Sequence, residues 1–316
     1  MNFPFRILTV VALLLIASTF QAFAQPLKPV YFDDVLGKRV SAAAKGHEWN
    51  LEQFCPVSTS VVSLRVLQSY GSVFVANDSV KLPSTCIYKG DGEVTRFQKS
   101  VERKPIDVNG VRIDLQAGAA GALESAIGEA AATGIRITAF DGAIAGGRTY
   151  GDSLMLWNSR VFPAMEFWIK RGRLSPADRD SLARLDLSDK VAKILEWESQ
   201  GIFFSTDRTR SIFTSTAPPG ASQHLALLAF DVTEYWNSNV RAILNRNGWF
   251  QTVVDDPVHF TYLGFPESEL PARGLTAVAK RGQQYWIPNM LPRPAVGKLV
   301  ETSAETDAEG AKRRPE

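Results

Sequence analysis

Ser222-Gln223-His224-Leu225-Ala226-Leu227-Leu228-Ala229-Phe230-Asp231 and, further on, Asp256-Pro257-Val258-His259-Phe260-Thr261-Tyr262-Leu263-Gly264 carry two of the three histidines of this chain. Around them, His224 to Val232 is apolar and strand-like. Val240 to Asn245 has helical spacing and stops at Asn247-Gly248. Trp249 to Val254 and Val258 to Leu263 read as two strands on either side of Asp255-Asp256-Pro257. Asp231 lies seven positions after His224, and Asp256 three positions before His259.

Working outward, Val111 to Leu115 alternates like a strand, Ala117 to Thr133 is alanine-rich and helical, and Ile135 to Ala139 reads as the next strand. A glycine-rich loop, Gly142 to Gly147, then leads through Arg148 into a long amphipathic helix from about Asp152 to Lys170, which Pro163 should kink or split. Two shorter helices are expected near Pro176–Leu185 and Lys190–Ser199, the first with Ser175-Pro176 as cap and first-turn pair. On the N-terminal side, Leu51 to Leu67 is partly helical and Ser72 to Ala76 reads as a short strand. Ile87-Tyr88 and Val94 to Phe97 suggest a hairpin or a strand–turn–helix around Gly90-Asp91-Gly92. After Gly264 the pattern is loop-like, with one late strand at Gln284 to Ile287. The expected organisation is a signal peptide over 1–24, an accessory region over 25–107, a main domain over 108–292 and a disordered tail over 293–316.

The composition is that of a folded globular chain: 316 residues, 45% hydrophobic and 22% charged. A formal charge of +2 excludes a strongly basic nucleic-acid binder. Arg6, the apolar run Ile7 to Phe20 and Ala22-Phe23-Ala24 form the signal pattern; a retained anchor helix is the alternative reading. No other stretch approaches transmembrane length, so no membrane contact is expected after signal removal, and the expected location is periplasmic or extracellular. In an oxidising compartment Cys55 and Cys86, the only cysteines, favour a disulfide over two buried thiols.

Several catalytic signatures are absent. There is no His-Glu-x-x-His helix, no Gly-x-Ser-x-Gly elbow, no Ser-x-x-Lys and no Walker lysine after the glycine loop. A catalytic zinc uses three protein ligands plus an open position, with a separate carboxylate to take a proton. His224, Asp231, His259 and Asp256 supply such a set. On spacing alone they read as a metal site or as satisfied structural histidines. His47 reads as a surface residue, and Arg208 and Arg210 as a solvated loop or a fork for a peptide carboxylate.

The two motifs resemble those of the zinc D-alanyl-D-alanine carboxypeptidases and dipeptidases of the vancomycin-resistance type. There a Ser-x-His-x-x-Gly-x-Ala-x-Asp segment is followed by Glu-Pro-Trp-His, an aromatic residue, a tyrosine and a glycine. The resemblance covers roughly Ile135 to Gly264. It implies an α+β fold with a small antiparallel sheet and packed helices, the N-terminal accessory region being additional. It implies zinc held by His224, Asp231 and His259, with Asp256 as general base. Arg148 would contact the substrate, and Ser222 and Tyr262 would line its site. It implies peptidoglycan stem peptides as substrates. Three positions depart from the pattern: Leu227 replaces the glycine, Asp256 replaces the longer glutamate and Val258 replaces the tryptophan. Leucine takes φ > 0 only at a cost, and the shorter acid needs help from the backbone to reach a proton about 2.6–3.2 Å away. A non-catalytic, metal-stabilised peptidoglycan-binding module is the alternative function, and a structural exported protein without metal is the third.

Overall fold

The computed structural model describes residues 29–43 and 50–290. The expected signal peptide, His47 and the tail over 293–316 lie outside the described residues. Among the described residues nine helices run in chain order: α1 (Phe32–Ala43), α2 (Leu51–Phe54), α3 (Val61–Tyr70), α4 (Asp91–Lys99), α5 (Ala117–Ala132), α6 (Tyr150–Lys170), α7 (Pro176–Arg184), α8 (Leu187–Ser199) and α9 (Ser238–Arg246). Seven strands among the same residues make three antiparallel sheets. β1 (Arg103–Val108) pairs with β2 (Val111–Gln116), and β6 (Leu275–Lys280) with β7 (Gln283–Pro288). β3 (Ala229–Asp231), β4 (Trp249–Gln251) and β5 (His259–Tyr262) form a sheet in the order β3-β5-β4. The chain is therefore mixed helix and sheet, as an α+β reading requires. Among the described residues no helix is long and apolar enough to cross a membrane.

Local chemistry sets the element ends. Thr149 and Ser175 cap α6 and α7 in reciprocal boxes with Asp152 and Asp178. Asn237 caps α9 by accepting from the Asn239 amide. Gly248 follows α9 at φ 78°, where an added Cβ would stand 2.7 Å from the Gly264 Cα, so glycine is required for both reasons. α6 is not split at Pro163: the proline faces solvent, so water can satisfy the carbonyl that loses its helical partner.

Four expected strands take other forms. Ser72 to Ala76 lies largely in a buried 3-10 turn, Gly71–Val75. Ile87-Tyr88 forms no strand, although α4 supplies the helix beyond it. Ile135 to Ala139 contributes only an isolated bridge between Ala139 and Val232. His224 to Val232 is a 3-10 turn, Gln223–Ala226, followed by the short β3. β6 was not expected. The boundary expected at 107/108 falls inside the β1–β2 hairpin, whose turn is Asn109-Gly110 at φ 51° and 92°.

Two hydrophobic cores meet at the decisive stretch. One gathers Leu115, Leu123, Phe230, Trp249 and Phe260 with Phe32 and Trp286 from the two ends of the described chain. The other gathers Val66, Trp157, Ile194, Phe204 and Phe213. Ala221 and Val253 belong to the second core, while Leu225 and Phe260 belong to the first, so each histidine-bearing segment crosses from one to the other.

Cys55 and Cys86 are disulfide-bonded, with Cα atoms 5.3 Å apart. The bond ties α2 to the segment whose Tyr88 amide donates to Gly220 O at 2.9 Å, two residues before Ser222. Replacing both cysteines by serine should lower the unfolding free energy by about 3–4 kcal/mol, the chain-entropy value for a loop of this size. Urea denaturation of both proteins measures this, and equal midpoints would contradict it.

Candidate metal centre

The register of β3 on β5 places Asp231 directly opposite His259. His224 comes from the 3-10 turn just before β3. Nitrogens of the two imidazoles and a carboxylate oxygen of Asp231 all lie within 4.8 Å of one another, and all three residues are buried. The three residues expected as ligands are thus brought together.

The surrounding hydrogen bonds decide which atoms face inward. His224 Nδ1 lies 2.6 Å from Gly146 O. A carbonyl only accepts, so Nδ1 carries the proton and Nε2 a lone pair. Gln223 Nε2 donates to Tyr70 O at 2.8 Å, which turns its Oε1 toward His259 Nε2 at 2.7 Å. His259 Nε2 is therefore the protonated nitrogen, and Nδ1 holds the lone pair. His224 Nε2 and His259 Nδ1 are 3.1 Å apart. Asp231 Oδ1 is 3.3 Å from the former and 3.1 Å from the latter. With both rings neutral and so turned, three acceptors converge, and the space between them is filled either by a proton on His259 Nδ1 shared with Asp231 Oδ1 or by a metal ion. In a buried, low-dielectric place the bare acceptors repel one another unless one of these sits between them.

The outer shell is built for the same end. Arg148 Nη2 donates to Asp231 Oδ2 at 2.5 Å, and its Nε donates to Ile144 O at 2.7 Å. Arg148 thus holds the ligand carboxylate, leaving Oδ1 for the centre, and is only 13% exposed. The glycine loop earns its composition here. A Cβ at Gly146 would stand 2.8 Å from the Ile113 Cβ, and one at Gly147 would stand 2.8 Å from Asp114 O. That close approach to β2 lets Gly146 present its carbonyl to His224.

Electrostatics separates the two aspartates. Burial would raise the Asp231 carboxyl, but any charge or proton that His224 and His259 turn toward it, together with the Arg148 guanidinium, outweighs burial and holds it well below its ordinary value. Burial, reinforced by the Arg148 charge, lowers His224 to about 4, so the ring stays neutral and available as a ligand. Asp256 is raised to about 6, chiefly by burial and then by the Asp231 charge, against the pull of His259, Arg148 and Arg160. It lies outside the ligand group.

No protein-family model matches the chain, and no curated protein matches its sequence.

Ser222 flanks the His224 turn and lines a small cleft with Thr85, Cys86, Tyr88 and Gly220. Tyr262 lies elsewhere. It alternates with His259 and Thr261 along β5, packs on Trp249 with ring centres 5.4 Å apart, and its hydroxyl is 3.2 Å from Ser79 Oγ. Arg210 pairs with Asp207, and Arg208 stacks over Phe167. Asp255, at φ 68°, turns its buried carboxylate to Lys280 Nζ at 2.6 Å. The residue that sequence reasoning missed is Gln223; it stands inside the first motif, but its role depends on a carbonyl in α3.

The raised Asp256 carboxyl has a consequence for stability. A carboxyl whose folded value exceeds its unfolded one favours folding below about pH 4 and loses that contribution as pH rises through about 6. In metal-free protein Asp256→Asn should therefore raise the unfolding free energy by on the order of 2–3 kcal/mol at pH 8. The difference should shrink toward zero by pH 4. Urea titrations in chelator at the two pH values check the sign; a destabilised variant at pH 8 contradicts it.

Proposed function

We propose that this protein is an exported zinc metallopeptidase acting on cell-wall stem peptides. The observation that carries the reading is the convergence of three buried ligand atoms, two imidazole nitrogens and one carboxylate oxygen, electrostatically coupled to a carboxyl group, Asp256, that is not among them. The donor set fits zinc, which takes nitrogen and oxygen ligands from His and Asp, and three protein ligands are the number that catalytic sites use. Zinc so held lowers the pKa of water to about 7 and polarises a carbonyl.

The chain's own residues have distinct tasks. His224, Asp231 and His259 hold the ion. Arg148 orients Asp231 by binding its second oxygen, which makes it a positioning residue. Asp256 accepts a proton from the attacking water and delivers it to the leaving amine. A carboxyl near 6 suits both halves of that exchange, since it takes and returns a proton near neutral pH. Asp255 has no part in this; Lys280 engages it. The resemblance of the two motifs to zinc D-alanyl-D-alanine peptidases supports peptides ending in D-alanine as substrates. The disulfide supports a location outside the reducing cytosol.

Metal analysis of purified protein should give one zinc per chain. His224→Ala and His259→Ala should each lose it, while Asp256→Asn keeps it. Mass spectrometry of muropeptides incubated with zinc-loaded protein should show cleavage, and Asp256→Asn should slow it by roughly 10²–10⁴. Asp255→Asn should lose stability with its ion pair but change turnover per folded molecule little. Tightly held zinc with no cleavage would replace this reading by a metal-stabilised binding module, and iron in place of zinc would change the chemistry assigned to the site.

A further inference from the structure

Gln223 sits at the centre of a buried polar knot. Its side-chain nitrogen donates to Tyr70 O at 2.8 Å. Its Oε1 accepts from His259 Nε2 at 2.7 Å and from Thr261 Oγ1 at 2.5 Å. Thr261 Oγ1 in turn lies 2.6 Å from Thr252 Oγ1. Gln223 is 2% exposed, and Thr252 and Thr261 are fully buried. With a hydroxyl on one side and a backbone carbonyl on the other, the amide has one satisfied orientation.

That orientation reaches the metal centre. Imidazole carries one proton when neutral, and the partner at one nitrogen decides which nitrogen keeps the lone pair. His259 has an acceptor at each nitrogen, Gln223 Oε1 at 2.7 Å from Nε2 and Asp231 Oδ1 at 3.1 Å from Nδ1; the shorter contact draws the proton of the neutral ring to Nε2 and leaves the lone pair on Nδ1, the atom that faces His224 Nε2 and Asp231 Oδ1. His224 is set the opposite way by Gly146 O. The two imidazoles therefore present different atoms, Nε2 from the turn and Nδ1 from the strand. β5 brings His259 so close that its nearer nitrogen has to be the ligand.

We propose that Gln223 is a positioning residue that fixes His259 as the Nε2–H tautomer and so makes Nδ1 its metal-binding atom. The proposal rests on the metal-centre reading for its effect on affinity, but not for the tautomer itself. It also links the centre to α3, since the Tyr70 carbonyl that orients Gln223 lies at the end of that helix.

Long-range ¹H–¹⁵N correlation spectra of histidine-labelled full-length protein, metal-free at pH 8, test the tautomer. Wild type should show His259 protonated at Nε2; protonation at Nδ1 alone would overturn the proposal without any variant. Gln223→Met removes both the acceptor and the donor. It should release His259 to a mixture of tautomers and weaken zinc binding 10–100-fold in chelator competition, the usual effect of losing such an outer partner. Gln223→Glu, ionised at pH 8, keeps an acceptor toward Nε2 while losing the donor to Tyr70 O, and should restore the Nε2–H form. A residue that only filled space would be replaced by methionine with no change in tautomer, and that result refutes the proposal. If wild type binds no zinc while His259 is held as Nε2–H, the metal reading fails and the tautomer lock stands.

Discussion

The pairing of Asp231 with His259 across β3 and β5 is the constraint on which the centre depends. Side chains alternate along a strand, so a slip of one residue would turn His259 away from His224 and bring Phe260 in its place. The sheet resists that slip at its other end. Leu263 and Gly264 both donate to the Gly248 carbonyl, and the two glycine backbones approach too closely for a side chain on Gly248. Registration is thus set by backbone contact outside the centre. The three residues receive their geometry from the sheet and do not have to create it.

Much of the centre was legible in the sequence because its ligands fall into two short segments with fixed internal spacing. The helix at Val240 to Asn245 and the strands flanking Asp255-Asp256-Pro257 were legible as well, since their apolar residues run in short blocks ended by Asn, Gly or Pro. The failures have physical causes. Ser72 to Ala76 is buried throughout, so it shows no polar face from which a period can be read, and it folds as a 3-10 turn. Ile135 to Ala139 has strand composition, but the Thr138 amide donates to the Glu234 carboxylate and only Ala139 bridges, to Val232. β6 has mixed polarity because most of its side chains are not buried. Asn109-Gly110 is a strong two-residue hairpin signal, and reading a boundary beside it hid β1. Gln223 and Arg148 illustrate a different limit: each works through a partner far away in sequence, Tyr70 in one case and Asp231 in the other.

Leu227 shows how a local rule can be broken at a functional turn. It occupies the left-handed region, φ 59° and ψ 33°, where glycine would be unstrained. Such a residue costs roughly 1–2 kcal/mol. The leucine is 1% exposed, and burying such a side chain contributes about 1.5–3 kcal/mol, enough to offset the backbone term. Its carbonyl accepts from the Gln116 amide, and the neighbouring Ala226 carbonyl accepts from the Gln116 side chain. The turn carrying His224 is therefore pinned to the end of β2 by its own backbone.

Phe32, near the start of the described chain, donates its amide to Asn289 O, and Asn289 Nδ2 donates back to Val30 O at 2.8 Å. Gly274 lies so close beneath Phe32 that an added Cβ would meet the Phe32 Cα at 2.6 Å. A chain that emerges from its N-terminal end cannot complete this closure until β7 and Asn289 have been released. Until then Phe32 and Leu36 lack part of the surface that buries them, and the apolar face of α1 remains open to solvent or to a chaperone. The closure therefore forms late, after Asp231 and His259 have both emerged, and the fold around them is completed last of all at the opposite end of the described chain.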